Sequence, residues 1–166
     1  MPDPSRVAVC DTSPLQYLHQ LGMIQLLSEL YAAILAPAAV RDELAAGRAI
    51  GVALPDLGAL PWIVVRMADP EVLPRLPAAL GRGEREALAL AARTPSAVLL
   101  ADDRQARRCA ESLGLRVSGT LGVLLKAKHT GLIPQLGPVL DALDQLGFRL
   151  AQAPRRKVLA LANEGL

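Results

Sequence analysis

The sequence predicts an α/β fold of three layers, a central parallel sheet covered by helices on both faces. Three observations predict it. Short apolar runs alternate with amphipathic helical stretches along the whole chain. Few of the connections resemble hairpin turns, and strands joined through helices run parallel. The chain has 166 residues, 52% of them apolar, which suits one domain with a substantial core. Only 2% are aromatic, so that core must be built from Leu, Val, Ile and Ala.

The elements follow in order. Val7 to Cys10 is a short apolar strand closed by Asp11, and Pro14 then falls where a helix's first turn tolerates it. Leu15 and Leu18, then Ile24, Leu26, Leu27 and Leu30, give two helical stripes broken at Gly22. Ala32 to Leu35 reads as a second strand, and Pro37 opens a helix that carries Val40 and Leu44 and ends near Gly47. Residues 47–61 are irregular, and Trp62 to Arg66 is a third strand toward an edge.

Glu84 to Arg93 reads as an amphipathic helix after Gly81-Arg82-Gly83. Ala97 to Ala101 is a strand, Asp103 to Leu113 a helix and Leu115 to Val117 a short strand. Ser118 or Thr120 is placed to cap a helix running through Lys128, and another helix spans Pro134 to Leu146. A last helix over Pro154 to Asn163 is expected to project from the body. The expected organisation is one domain over residues 1–150, with 151–166 as its helical extension.

Bulk properties remove several function classes. No apolar run reaches the roughly 20 residues that a transmembrane helix needs. The start, Met1 to Arg6, does not resemble a signal peptide, so a cytoplasmic location without membrane contact is expected. Cys10 and Cys109 are far apart and lack metal spacing, and His19 and His129 are isolated, so zinc is not expected and the thiols read as buried. A net charge of +2 says little by itself. Basic residues cluster at Arg104/Arg107/Arg108, Lys126/Lys128 and Arg155/Arg156/Lys157, a pattern of solvated helix faces or of backbone-directed nucleic-acid contact. The scarcity of aromatics argues against a base-stacking platform.

Four acidic sites carry the chemistry: Asp11, Glu43, Glu84 and the pair Asp102-Asp103. Two of them end buried strands, and in open α/β sheets ligands bind outside the carboxyl ends of the strands. Carboxylates gathered there repel one another unless protons or a cation neutralise them. An oxygen-only cluster suits hard ions such as Mg²⁺ or Mn²⁺. Each site also has an ordinary explanation. Asp11, Thr12 and Ser13 are good helix caps, and either Asp102 or Asp103 can cap the helix that begins at Arg104. Only one of that pair can be the cap, so the other needs a cation or an arginine such as Arg104, Arg107 or Arg108. Glu84 suits the positive end of a helix, with Arg82, Arg85 and Glu86 beside it as exposed pairs. Glu43 lies about 90° from the centre of the Val40/Leu44 face, at about 100° per residue. That places it at the boundary between core and solvent.

As an ordered set the motifs are recognisable. They are Cys-Asp-Thr-Ser-Pro-Leu (10–15), Ala-Pro-Ala-Ala-Val-Arg-Asp-Glu-Leu (36–44) and Leu-Gly-Arg-Gly-Glu-Arg-Glu-Ala-Leu-Ala-Leu-Ala (80–91). Leu-Leu-Ala-Asp-Asp-Arg-Gln-Ala-Arg (99–107) and Gly-Thr-Leu-Gly-Val-Leu-Leu-Lys-Ala-Lys (119–128) complete it. The chain resembles the PIN-domain nucleases, and within them a bacterial and archaeal branch grouped with toxin–antitoxin ribonucleases of the VapC-like kind.

The resemblance implies a PIN fold whose acidic pocket binds Mg²⁺ or Mn²⁺ and hydrolyses RNA phosphodiester bonds. Position by position, Asp11, Glu43, Glu84 and Asp103 match the catalytic acids, with Asp11, Glu84, Asp102 and Asp103 as metal ligands. Thr12, Ser13, Asp102 and Thr120 are accessory, and the Gly119-Thr120 turn at a helix start is a place for a neighbouring phosphate. Glu84 stands where many members have Asp. The implied partners are RNA, a protein antitoxin and a second copy of the chain, the last through the Leu-rich 15–30 stretch, which burial in the core explains equally well. Pocket loops set the RNA target, and 47–61 is the stretch expected to do so.

Other strand-ending-in-Asp folds fit less well. An aspartyl-phosphate phosphatase wants a second acid where Ser13 stands, and a receiver domain wants its acidic pair after the first strand. Neither a Walker loop nor a GxGxxG fingerprint is present. The competing reading keeps the fold and drops the chemistry, leaving a PIN-like interaction module with a weak or inactive pocket.

Overall fold

The computed structural model describes residues 6–165. Among them the chain runs β1 (Val7–Cys10), α1 (Thr12–Gln20), α2 (Leu26–Leu30), β2 (Ala33–Pro37), α3 (Ala38–Ala49) and β3 (Ile63–Arg66). It continues through α4 (Arg82–Ala92), β4 (Ala97–Leu100), α5 (Arg104–Ser112), β5 (Arg116–Ser118), α6 (Thr120–His129), α7 (Gly137–Gln145) and α8 (Gln152–Leu161). All described strands join one parallel sheet in the order β3-β2-β1-β4-β5. The predicted α/β class and the edge position of the third strand both hold.

Alternation along the strands divides the core. Ala8 and Cys10 of β1 and Val98 and Leu100 of β4 pack on one face, with Leu15, Leu27, Leu44, Leu124 and Leu140 from the helices. Val9 and Leu99 point to the other face, toward Leu88 and Ala89 of α4 and Ala106 and Ala110 of α5. Each fully buried Leu contributes about 1.5–3 kcal/mol. The core is built mainly from Leu, Val, Ile and Ala, with Cys10 and Tyr31 among them, on strands that are apolar on both faces.

The strand order reverses between β1 and β4, because the chain first builds β2 and β3 on one side and then crosses to the other. Val7 to Cys10 align with Ala97 to Leu100, so both strands end at the same level. The Asp11 N–H donates to the Leu100 carbonyl at 2.9 Å and extends that register by one residue. A switch point of this kind leaves a crevice outside the carboxyl ends of its two strands. No described helix is long and apolar enough to cross a membrane.

Three expectations are corrected here. The last helix does not project: Val158 and Leu159 pack on the core, and Ala162 is fully buried. Beyond it, Glu164 accepts the N–H groups of Leu136 (2.6 Å) and Gly137 (3.0 Å) at the start of α7, and Lys128 lies 3.2 Å away. Leu15, Leu18, Leu27 and Leu30 are fully buried in this chain's own core, so the 15–30 stripe offers no face to a second copy. Glu86 is not a solvent-exposed pairing residue. It is only 9% exposed, and it accepts the Ala39 N–H at 3.0 Å, capping α3, while Arg82 Nε donates to its other oxygen at 3.1 Å.

Candidate active site

Asp11 ends β1, caps α1 and is 5% exposed. One of its oxygens accepts the Thr12 N–H at 2.8 Å. Thr12 turns its hydroxyl the other way, donating to Glu43 Oε2 on α3, whose Oε1 accepts the Gly83 N–H of α4 at 3.0 Å. Glu43 thus ties the starts of α1 and α4 together from an exposed position. Glu84, in the first turn of α4, is partly buried and hydrogen-bonds with the Gly81 backbone.

The adjacent pair after β4 divides its work. Asp103 is exposed and accepts the Ala106 N–H at 2.9 Å, so it is the cap of α5. Asp102 is recessed and turns toward α6. It accepts the Thr120 N–H at 2.7 Å and the Thr120 hydroxyl at 2.6 Å. The α6 N-terminus is therefore already satisfied by a carboxylate, which corrects two expectations. Neither Ser118 nor Thr120 caps α6 with its own side chain, and the Thr120 N–H is not free to hold a phosphate. Arg107 sits beside Asp102 and donates to the Ala101 carbonyl at 3.1 Å. Gly119 is required by this crowding, since a Cβ there would lie 2.6 Å from Asp102 and 3.1 Å from the Ala101 carbonyl oxygen.

Burial and crowding act on these acids in one direction. Burial pushes the Asp11 carboxyl up to about 7, with Glu84, Glu43 and Asp102 adding to the rise and the Thr12 N–H opposing it. Glu84 is raised by burial, then by Asp103 and Glu43. Asp102 is raised by burial against the two Thr120 hydrogen bonds and Arg107, all of which favour its charged form. Carboxylates from β1, α3, α4 and the β4–α5 junction thus repel across one crevice, as expected when like charges share a site.

Not all of the predicted residues face the same space. Ser13, Glu84, Asp102 and Asp103 line an open cleft of about 440 Å³. Asp11 is recessed from it, and Glu43 stands apart on its bond to Thr12. Among the described residues no group of three or more His, Cys, Asp or Glu is drawn tightly enough to hold a metal ion. The donor chemistry nonetheless fits a hard cation: every group is an oxygen acid, and their mutual repulsion is what such an ion would relieve.

The family model of DUF3368, a PIN domain, matches the chain over residues 7–164. The chain belongs to the PIN-domain family. PIN domains are generally nucleases that act on nucleic acids and use divalent metal ions. No curated protein matches this chain.

The PIN crevice also gathers residues that the sequence reading passed over. Tyr17 of α1 and Phe148 and Arg149 after α7 line the same cleft as Glu84. An adjoining cavity of about 550 Å³ contains Asp102 and Arg149 again, together with Arg104 and Arg107. The expected specificity stretch, 47–61, lines neither cavity. The reason is directional: α3 starts at the carboxyl end of β2 and leads back to the start of the parallel β3, so its exit lies toward the amino ends of the strands. Sequence spacing did hold a signal for Glu86, which shares a helix face with Ala89 and Leu90. Nothing local marked Phe148, because α1 and the end of α7 meet only through tertiary packing.

Each of the three basic clusters has at least one internal partner. Lys126 lies 4.5 Å over the Tyr31 ring, Lys128 donates to the Pro134 carbonyl at 2.7 Å, and Arg155 pairs with Asp141 at 2.6 Å. In the α5 cluster Arg107 donates to the Ala101 carbonyl, and Arg104 and Arg107 line the adjoining cavity with Asp102.

Proposed function

We propose that this PIN domain is a metal-dependent ribonuclease that hydrolyses RNA phosphodiester bonds. The observation that carries the reading is the set of mutually repelling carboxylates at the β1/β4 switch point, with Asp11 raised to about 7. Asp11, Glu84 and Asp102 stay raised by burial even though backbone N–H groups and the Thr120 hydroxyl donate to them. Asp11, Glu84, Asp102 and Asp103 are the groups that would hold Mg²⁺ or Mn²⁺. When bound, such an ion acidifies a water and offsets charge on the attacked phosphate.

The chain's own residues hold this arrangement in place. Thr120 fixes the rotamer of Asp102 through two hydrogen bonds, which favour its charged form against burial. We assign to Asp102 the catalytic role that the resemblance gives to Asp103, because the Asp103 carboxylate is shared with the α5 backbone. Thr12 and the Gly83 N–H hold Glu43 near the acids without placing it in the cleft. Ser13 offers a hydroxyl on the cleft wall for a phosphate oxygen. The toxin role, with an antitoxin covering this cleft, is supported by the motif resemblance. A homodimer has the same support and no longer that of the 15–30 stripe.

A second reading has one observation in its favour, the lack of a preformed metal-holding group among the described residues. On that reading the domain binds RNA or protein without cutting. Incubating purified protein with a labelled single-stranded RNA pool and Mn²⁺, Mg²⁺ or EDTA, beside Asp11→Asn, decides between them. Metal-dependent cleavage that disappears in the variant supports the nuclease. No cleavage, with thermal stability indifferent to both ions, leaves the interaction module.

A further inference from the structure

An acidic crevice repels the polyanion it is meant to receive, so affinity must come from contacts beside the carboxylates. Such contacts exist on one wall. The chain has two Tyr, one Trp and one Phe, and two of these four rings meet at the cleft. Tyr17 and Phe148 pack edge to face, with centroids 5.0 Å apart and planes at 86°. Both are only partly buried, and both line the cavity of about 440 Å³ shared with Glu84 and Asp102. That size falls within the roughly 300–1,000 Å³ of ordinary ligand pockets.

Local structure holds Phe148 there. Gly147, at φ +93°, ends α7 in the left-handed conformation, and the Phe148 N–H donates back to Leu143 at 3.1 Å. That is the six-to-one bond of a helix C-terminus. The next residue, Arg149, is exposed, has no ion pair among the described residues and borders both the acidic cleft and the Arg104/Arg107 cavity. An edge-to-face pair leaves π-surface for a third ring, and every base has a face that stacks.

We infer that Tyr17 and Phe148 form the seat for one unpaired base of an RNA strand, with Arg149 on the adjoining phosphate. The inference rests on the ribonuclease reading of the cleft and adds to it the residues that take hold of an unpaired base. A base paired in a duplex has its faces covered by its neighbours and cannot enter.

The test measures binding of a labelled RNA oligonucleotide to the full chain in EDTA, as a single strand and annealed to its complement. The wild type is expected to prefer the single strand. Phe148→Leu and Tyr17→Leu, which keep an apolar side chain, should each weaken single-strand binding by about tenfold, the scale of one stacked base, and leave duplex binding unchanged. Arg149→Gln should reduce the slope of log Kd against log salt by about 1 and keep the preference. In Phe148→Trp the added emission, relative to wild type, should be quenched by the single strand.

Leucine variants that bind like wild type, or tryptophan emission indifferent to RNA, overturn the seat. A salt slope unchanged in Arg149→Gln removes the phosphate contact and overturns that half. Ring-dependent binding without metal-dependent cleavage sinks the ribonuclease reading alone. Cleavage with ring-independent binding sinks this inference alone.

Discussion

At the carboxyl ends of β1 and β4, Asp11, Glu84 and Asp102 are all pushed above the ordinary carboxylate range. At the other end of the chain Glu164 is held below it, by the Gly137 and Leu136 N–H groups and by Lys128. The chemical group is the same, so surroundings decide. Glu164 joins the last turn of the chain to α6 and α7 with donors on every side, which is how a fold uses a carboxylate for stability. The crevice acids are gathered against their own repulsion, a cost that stability alone gives no reason to bear. The difference separates a carboxylate used as a fastening from a set kept available for chemistry.

The largest expected effect concerns the crevice. Asp11→Asn should lower metal-dependent RNA cleavage by roughly two to three orders of magnitude, the scale of losing one preorganised electrostatic group, measured by initial rates on labelled RNA. If cleavage survives at the wild-type rate, the comparison loses its functional side.

Stability against pH comes next, and the two regions should respond with opposite sign. Asp11 titrates at about 7 in the folded chain and near its ordinary value of about 4 when unfolded. Its native state therefore holds a proton that the unfolded state has lost over that interval. Stability from this group is highest below about pH 4 and declines as pH rises to about 7, by on the order of 4 kcal/mol at most. In EDTA at pH 8, Asp11→Asn should accordingly melt above wild type, and added Mn²⁺ should raise the wild type more than the variant. Equal melting of the two proteins at pH 8 would mean that the crevice carries no electrostatic strain.

A smaller effect is expected of Thr120→Val, which is of similar shape but lacks the hydroxyl that steadies Asp102. The loss should be about 2 kcal/mol, as for a hydrogen bond to a charged group, with cleavage falling by roughly tenfold. Denaturant titration and initial rates report the two. The smallest effect belongs to Glu164→Gln, which should lower the melting temperature modestly at neutral pH and leave cleavage unchanged. The Glu164 contribution is fully present above the ordinary carboxylate range and is lost as pH falls through its lowered value, so wild type and variant should converge in acid. A variant that melts like wild type at pH 7 would show that the fastening is not one.

The same division explains what was legible in the residues. Strand identity was legible because parallel strands are apolar on both faces, as in Val7–Cys10 and Ala97–Leu100, and their ends marked Asp11 and the Asp102-Asp103 pair. Which of that pair would be recessed was not, since either can cap a helix and the choice depends on Thr120, a residue 18 positions away. Glu86 looked like a surface charge, and Glu164 drew no notice, because their partners are backbone N–H groups of α3 and α7, which no side-chain pattern displays. Tyr17 and Phe148 were passed over for the same reason: the packing of α1 against the end of α7 brings them together.

The register between β1 and β4 has a consequence for the making of the protein. β1 is complete at Cys10 and its neighbour β2 follows soon, but β4 on its other side begins only at Ala97, and Thr120 comes later still. While the first half of the chain leaves the ribosome, Asp11 has neither Asp102 nor Glu84 near it, and the crevice does not exist. The proposed ribonuclease site therefore cannot form until synthesis has passed Thr120.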